Sequence, residues 1–293
     1  GQIDLDAYAR YGYMPSEINV VSKTLDYAYD DFCVSQLAKA LGKKKDATFL
    51  EKRSMNYKNG FHPEYEYVCR RDSLGNWDDQ FDVFSNAGFI EGNSWQYSWY
   101  VPHDINGKEK ALERLSDGFE KSRKHNFAAH VFDRTMGQSA EFYINQGNEV
   151  NMNSAFIFNY LDKPSLCQNY TREILDRFYG DSPYKGWEGD EDEGQMGGWF
   201  VMSAMGLFEM DGGVTADSEL DITSPLFNKI TIALDSRYYP GKEFVIEAVN
   251  NSPENRYIRS ARLNGKLLKN FRIPFSALVN GGRLELEMGN EPL

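Results

Sequence analysis

Hydrophobic and polar positions in the first two thirds of the chain repeat at helical spacing. Residues 20–41 carry apolar side chains three and four positions apart and end before Gly42, a residue that suits the position after a helix. Asp46 stands where a side chain caps a second helix over residues 47–56. Loop residues dominate 61–88, with a turn at 73–76. After this loop the helical spacing of apolar residues predicts further helices over 95–100, 107–124, 154–161 and 171–178.

After Gly212-Gly213 the pattern changes to alternation with a period of two. This alternation predicts strands, and Asn264-Gly265 is typical of a hairpin turn between two of them. The predicted strands cover residues 229–234, 243–249, 256–263 and 283–288. We therefore predict a mainly α then β chain, with a helical domain over residues 1–212 and an antiparallel β-sandwich over residues 213–293.

Composition excludes some classes of partner. The 293 residues carry a net charge of −12, which argues against nucleic acid and against an anionic membrane surface. No apolar run approaches the roughly 20 residues of a membrane span, so we predict no transmembrane segment. Cys33, Cys69 and Cys167 are odd in number and widely spaced, which favours isolated core thiols over a disulfide framework.

An acidic run is the densest cluster of candidate chemistry. Asp190 to Glu193 are four consecutive carboxylates between Gly189 and Gly194, directly before an apolar helical segment. Adjacent like charges repel, so such a run is costly unless it has a use. A helix N-terminus helps to keep carboxylates ionised, which favours a general base or a cation site. A solvated acidic loop is the alternative.

Glu91 lies in a second cluster, among aromatic residues. It follows Phe89-Ile90 and precedes Gly92, with Trp95 and Trp99 nearby. A carboxyl group enclosed by rings loses solvation, which raises its pKa and suits a general acid. The alternative is a glutamate at a helix N-terminus that backbone amides satisfy.

A third cluster spans residues 146–149, where Gln146, Asn148 and Glu149 place amide and carboxylate oxygens in one turn. Such oxygens suit Ca²⁺, which takes about 6–8 oxygen ligands. A plain turn explains the same residues.

Two separated carboxyl groups are the requirement for glycoside hydrolysis. One protonates the leaving oxygen, and the other activates water or attacks the sugar directly. Glu91 and the pair Asp190 and Asp192 lie far apart in sequence, so tertiary structure has to bring them together. A carboxyl separation of about 6.5–9.5 Å would indicate inversion and one of about 5–5.5 Å retention.

These motifs resemble, in order, the C-terminal portion of glycoside hydrolase family 92, the calcium-dependent exo-α-mannosidases. The matching stretches of the helical part are residues 12–15, 21–31, 91–97, 101–104, 147–149, 189–199 and 203–208. The β-rich part adds residues 223–227, 250–252 and 263–265.

The resemblance implies that residues 1–212 form the C-terminal part of an (α/α)6 toroid barrel, followed by the β-sandwich. It also implies a missing N-terminal domain, or a companion segment, that completes the active site. Glu91 would be the general acid and Asp192 the general base, with Asp190 assisting it. The residues expected to contact the sugar are Trp95, Gln96, Glu149 and Trp187, and those expected to hold Ca²⁺ are Asn148 and Glu149.

The implied reaction removes a terminal, non-reducing α-linked mannose from a glycan by an inverting, calcium-assisted single displacement. The implied location is the bacterial periplasm or the cell exterior. Relatives that cleave α-1,2 linkages tend to carry His-Glu where this chain has Ile144-Asn145, so the linkage stays open.

Two alternatives remain at this point. A truncated chain of this kind could bind glycans without cleaving them. Another (α/α)6 glycosidase or a phosphorylase would share the fold, but a phosphorylase needs a basic phosphate cradle, and the run from Asp190 to Glu193 is acidic.

Overall fold

A computed structural model describes residues 3–105, 111–128, 142–184 and 186–293. Within these residues the helices are α1 (Leu5–Tyr11), α2 (Lys23–Ala40), α3 (Lys44–Ser54), α4 (Ser94–Tyr97), α5 (Ala111–Ser122), α6 (Glu149–Met152), α7 (Ile157–Tyr160), α8 (Pro164–Arg177), α9 (Gln195–Met205) and α10 (Phe275–Val279). Short 3-10 turns cover Met55–Gly60, Arg123–His125, Ser154–Phe156 and Asp192–Gly194.

The helix ends show where the sequence patterns were right. α2 runs from Lys23 to Ala40, and Gly42 follows it with a φ of 70°, which confirms the predicted end. The capping role of Asp46 is wrong. α3 begins at Lys44, so Asp46 lies inside its first turn, where a carboxylate faces the positive end of the helix dipole.

The chain divides into two compact units, and the first comprises residues 1–105, 128–151 and 214–216. α2 packs on α3 there, and the guanidinium of Arg53 pairs with the buried carboxylate of Asp31 at 2.5 Å. One core cluster of this unit consists of Val21, Leu25, Ala28, Tyr57, Val68, Tyr97, Val101 and Val150. Because α4 contributes Tyr97 to this core, the segment that carries Glu91 is attached to a buried framework.

The second compact unit comprises residues 106–127, 152–213 and 217–293. Its strands are β1 (Leu207–Glu209), β2 (Glu219–Ile222), β3 (Lys229–Ala233), β4 (Glu243–Val249), β5 (Tyr257–Leu263), β6 (Lys266–Leu267), β7 (Arg272–Pro274) and β8 (Gly282–Gly289). They form a three-stranded sheet in the order β1-β2-β7 and a five-stranded sheet in the order β3-β4-β8-β5-β6.

Both sheets contribute to one apolar cluster. Leu220 and Ile273 come from the smaller sheet, and Phe244 and Leu284 come from the larger one. The hairpin prediction is confirmed, because Asn264 and Gly265, with φ values of 49° and 78°, join β5 to β6. The toroid, the sandwich and the domain boundary stay predictions.

The prediction of antiparallel strands holds for the described strand pairs with one exception. β4 pairs with β8 in parallel, whereas β8 pairs with β5 in antiparallel fashion. β8 lies between β4 and β5, and alternation of apolar residues reports which face a side chain occupies, not the direction of the strand. Across the described residues, no helix combines the length and apolar character needed to cross a bilayer.

Candidate active site

Glu91 lies on a strained turn at the start of the α4 segment. Its φ is 49°, in the left-handed region that costs a non-glycine residue about 1–3 kcal/mol. The turn leaves Glu91 exposed. The prediction that aromatic rings enclose this carboxyl is therefore wrong, because Trp95 and Trp99 turn into the core, where they are 2% and 6% exposed.

Two buried side chains hold the backbone of this turn. The Tyr97 hydroxyl donates a hydrogen bond of 2.7 Å to the carbonyl of Ile90. The Asn148 amide donates one of 2.5 Å to the carbonyl of Glu91. Tyr97 and Asn148 are both buried. The predicted acid is thus joined directly to the turn predicted to bind calcium.

The N-terminus of α4 carries a reciprocal capping box. The Asn93 side chain accepts from the backbone N–H of Gln96 at 2.9 Å, and Gln96 Oε1 accepts from the N–H of Asn93 at 3.2 Å. The Asn93 amide also donates to the carbonyl of Phe142 at 2.9 Å. Gln96 and Trp95 therefore have structural roles in the described chain, and their contacts with a sugar stay predictions.

The 145–148 turn is built from amides. Asn148 N–H donates to the Asn145 carbonyl at 3.2 Å, and Asn151 Oδ1 accepts from the N–H of Asn145 at 2.9 Å. Glu149 begins α6 and is exposed. Gln146 is fully buried, yet neither atom of its side-chain amide has a hydrogen-bond partner among the described residues. An unpaired buried amide is costly, which marks this turn as a candidate ligand site.

In the part of the chain that the structure describes, no three His, Cys, Asp or Glu side chains gather to hold a metal ion. Amide oxygens can still contribute to a calcium site. The predicted roles of Asn148 and Glu149 in calcium binding stay predictions.

The acidic loop also follows a left-handed path. Asp192 and Glu193 have φ values of 52° and 57°, flanked by Gly189 at 89° and Gly194 at 98°. Asp190 is exposed and Asp192 is half-buried. Asp192, the predicted base, therefore shares with Glu91 a backbone conformation that non-glycine residues seldom adopt.

Glu191 has a structural role that sequence reasoning missed. Its Oε1 accepts from the N–H of Gly197 at 2.9 Å, and its carbonyl accepts from the N–H of Met196 at 3.3 Å. A Cβ at position 197 would lie 3.0 Å from that carboxylate oxygen, so glycine permits the close approach. One of the four adjacent carboxylates is thus used to cap α9.

Trp187 and Trp199, which flank the acidic run in sequence, both contact the ring of Tyr179. The Tyr179 ring stacks on Trp199 with centroids 5.7 Å apart and meets Trp187 edge-on at 6.4 Å. The Tyr179 hydroxyl donates to the carbonyl of Met196 at 3.1 Å. Trp187 is half-buried, so it keeps accessible surface for the predicted sugar contact.

Asp26 on α2 is a further titratable group that sequence reasoning did not single out. Burial, followed by the charge of Asp30, raises the pKa of Asp26 to about 7. Its charge also acts on Tyr97 and Tyr100, and burial raises the pKa of both hydroxyls. An aspartate inside an apolar helical run was the available signal.

The predicted site residues are divided between the two compact units. The first unit holds Glu91, Trp95, Gln96, Asn148 and Glu149. The second unit holds Trp187, Asp190 and Asp192. The convergence of the two groups across one sugar stays a prediction.

Known proteins match nearly the whole chain. The model of the glycosyl hydrolase family 92 catalytic domain matches residues 1–290. An uncharacterized secreted glycosidase of Arthroderma benhamiae is 28% identical over 96% of this chain. A family GH92 α-mannosidase of Bacteroides thetaiotaomicron superposes with a TM-score of 0.85 at 32% identity over 100% of the chain. A GH92 inverting mannosidase of the same organism superposes with a TM-score of 0.82 at 33% identity over 98%.

The chain spans only 37% of the fungal relative and 38% and 40% of the two bacterial structures. The family match nevertheless extends from the α1 segment to β8 and includes every predicted site residue. This chain therefore belongs to glycosyl hydrolase family 92.

Proposed function

We propose that the protein removes terminal α-linked mannose from glycans by single displacement with inversion. The observation that carries the proposal is the hydrogen bond from Asn148 to Glu91, which joins the predicted metal turn to the predicted acid across 57 residues of sequence. The α-mannosidase and inverting mannosidase among the structural relatives support the substrate and the stereochemistry.

In this mechanism Glu91 donates its proton to the glycosidic oxygen as the bond to the leaving group breaks. Asp192, assisted by Asp190, takes a proton from the attacking water on the opposite face of the sugar. The exposed position of Glu91 leaves its carboxyl accessible to a substrate. The half-buried Trp187 offers a ring face for the sugar, as aromatic residues commonly do in binding sites.

Calcium fits the residues of the 146–149 turn. This ion prefers hard oxygen donors, and the turn offers the amide oxygens of Gln146 and Asn148 and the carboxylate of Glu149. The Gln146 amide has no hydrogen-bond partner in the part of the chain that the structure describes. Bound calcium would supply positive charge and orientation for sugar hydroxyls. Export of the protein is part of the proposal, and the secreted fungal relative supports it.

Substitution of the acid tests the proposal in the full-length enzyme. We expect Glu91→Gln to lower kcat on a mannobioside by about 10²–10⁴, since a poor leaving group needs the proton. An aryl mannoside with a good leaving group should lose much less. The matched control is Glu66→Gln, because Glu66 is also an exposed glutamate with a left-handed φ, 59°.

Equal, small losses on the two substrates would refute the acid role of Glu91. Binding of mannose oligosaccharides with no mannose release by the unaltered full-length protein would favour the glycan-binding alternative. Mannose release should be followed together with the anomer first formed, since the β-anomer reports inversion.

A further inference from the structure

We propose that Tyr97 and Asn148 are positioning residues that together fix the direction of the Glu91 carboxyl. The inference rests on the proposed function, because it assigns a purpose to the strained turn that carries the acid. It concerns two side chains that act through the backbone of Glu91 and need not touch the substrate.

The two hydrogen bonds act on consecutive carbonyl groups. Tyr97 donates to the carbonyl of Ile90 at 2.7 Å, and Asn148 donates to the carbonyl of Glu91 at 2.5 Å. These carbonyls belong to the two peptide planes on either side of the Glu91 Cα. Peptide planes are rigid, so φ of Glu91 sets the orientation of the plane that contains the Ile90 carbonyl relative to the Glu91 Cα. In the same way, ψ of Glu91 sets the orientation of the plane that contains the Glu91 carbonyl. Each donor therefore restrains one of the two backbone dihedrals that aim the side chain.

Such restraint is needed because the backbone conformation of Glu91 is unfavourable for a glutamate. A glutamate at a φ of 49° lies about 1–3 kcal/mol above its preferred conformations, and the side chain of Glu91 is exposed. Left-handed residues persist where surrounding contacts determine them. The carbonyl bonds from Tyr97 and Asn148 are such contacts.

The donors themselves are fixed in place. The Tyr97 ring is buried and packs on Phe89, with centroids 5.4 Å apart. Asn148 is held by its own backbone, which bonds to Asn145 at 3.2 Å and to Asn151 at 3.0 Å. Neither side chain can follow a movement of the turn without disturbing the core, so the turn adopts the position that they dictate.

The arrangement also separates the two functions of Asn148. Its NH₂ group is used on Glu91, whereas a calcium ion would take the side-chain oxygen. Asn148→Asp replaces the NH₂ group that donates to the Glu91 carbonyl and keeps the side-chain oxygen that a calcium ion would take. Tyr97→Phe removes the other donor and keeps the ring in the core.

The experiment compares these two variants in the full-length enzyme. We expect each to lower kcat on a mannobioside by about ten- to a hundredfold, since misplacement of a catalytic group by an ångström has effects of this size. For Tyr97→Phe, KM should stay within about twofold, because the buried Tyr97 side chain has no proposed contact with the sugar or with calcium. The loss on an activated aryl mannoside should be several times smaller, as for Glu91→Gln. For Tyr97→Phe the calcium concentration that gives half-maximal activity should not change.

Tyr13→Phe is the matched control. Tyr13 lies in the same compact unit, is 6% exposed, and donates through its hydroxyl to the carbonyl of Asp72 at 2.7 Å. Loss of the Tyr13 hydroxyl should lower the unfolding temperature about as much as Tyr97→Phe does. It should leave kcat on both substrates unchanged, which separates positioning from general stability.

Two results would overturn the inference. One is a loss for Tyr97→Phe, or for Asn148→Asp at saturating calcium, that is equal on the two substrates. The other is a Tyr97→Phe enzyme whose kinetics match Tyr13→Phe. The proposed function fails separately, if Glu91→Gln itself shows no dependence on the leaving group. In that case both the acid role and the positioning role are wrong. If Glu91→Gln shows the leaving-group effect but Tyr97→Phe and Asn148→Asp do not, only the positioning role is wrong.

Discussion

The turn of Glu91 and the loop of Asp190 to Glu193 both contain residues in the left-handed backbone conformation, but different contacts stabilise them. Glu91 and Asp192 both have left-handed φ values, 49° and 52°, and each precedes a helix N-terminus, that of α4 or of α9. A buried amide and a tyrosine hydroxyl hold the Glu91 turn. The acidic loop is flanked by glycines with left-handed φ, and its Glu191 carboxylate accepts from the N–H of Gly197 in α9.

The difference matches what each carboxyl has to do in the proposed reaction. A proton donor has to meet one oxygen of the leaving group, so its direction is critical, and the Glu91 backbone is restrained on both sides. A base has to meet a water molecule, which is small and can adjust its own position. A glycine-flanked loop therefore suffices for Asp192. Substitutions in the two segments test this contrast.

The largest effect is expected at the base. Asp192→Asn should lower kcat by about 10²–10⁴ on a mannobioside and on an activated aryl mannoside alike, because water attack is needed whatever group departs. Kinetics of the full-length enzyme on the two substrates measure this. The neighbouring change Asp190→Asn should cost less, since Asp190 is the assisting group. A loss for Asp192→Asn that depends strongly on the leaving group would instead assign the acid role to the acidic loop.

An intermediate effect is expected at the buried amide of the metal turn. Gln146→Leu should raise the calcium concentration needed for half-maximal activity by about ten- to a hundredfold. It should also weaken the rise in unfolding temperature that calcium produces. Without calcium the unfolding temperature should not fall, because within the described ranges the amide has no hydrogen-bond partner to lose.

Gln168→Leu provides the contrast for that measurement. Gln168 is equally buried, but its Oε1 accepts from the N–H of Ile258 at 2.9 Å. This variant should lose stability with and without calcium and keep the same calcium response. A Gln146→Leu protein that behaves in this way would show that the amide is structural.

The smallest effect is expected at the cap of α9. Glu191→Ala should lower the free energy of unfolding by about 0.5–2 kcal/mol, since it removes the acceptor of the Gly197 N–H. Glu193→Ala, in the same acidic run but exposed, should change it by no more than about 0.5 kcal/mol. Urea denaturation of both variants measures the difference. Equal values for the two would mean that the run acts only as a block of charge.

Local patterns predicted much of the fold. The apolar spacing of α2 identifies this helix closely, because its buried residues lie on one face. β4 was also located correctly, although three consecutive residues, Phe244 to Ile246, are buried. Patterns failed where a tertiary contact decided the outcome. The parallel pairing of β4 with β8 depends on the position of β8 in the sheet, which alternation does not encode.

The candidate site shows the same limit. The clustering of Glu91 with tryptophans predicted an enclosed carboxyl, but α4 turns the rings inward and leaves the carboxyl exposed. The acidic run could not reveal that Glu191 would cap a helix while Asp192 would not. That distinction depends on which oxygen reaches the Gly197 N–H once the loop has folded.

The order of the motifs along the chain was enough to indicate the family and the kinds of group available for chemistry, because those depend on residue identity and spacing. Only the tertiary structure decided which donor reaches which carbonyl. Asn148 and Glu91 are 57 residues apart, and a hydrogen bond between such groups exists only when packing brings them within about 3 Å. Direction and burial are properties of that packing, so no pattern along the chain contains them.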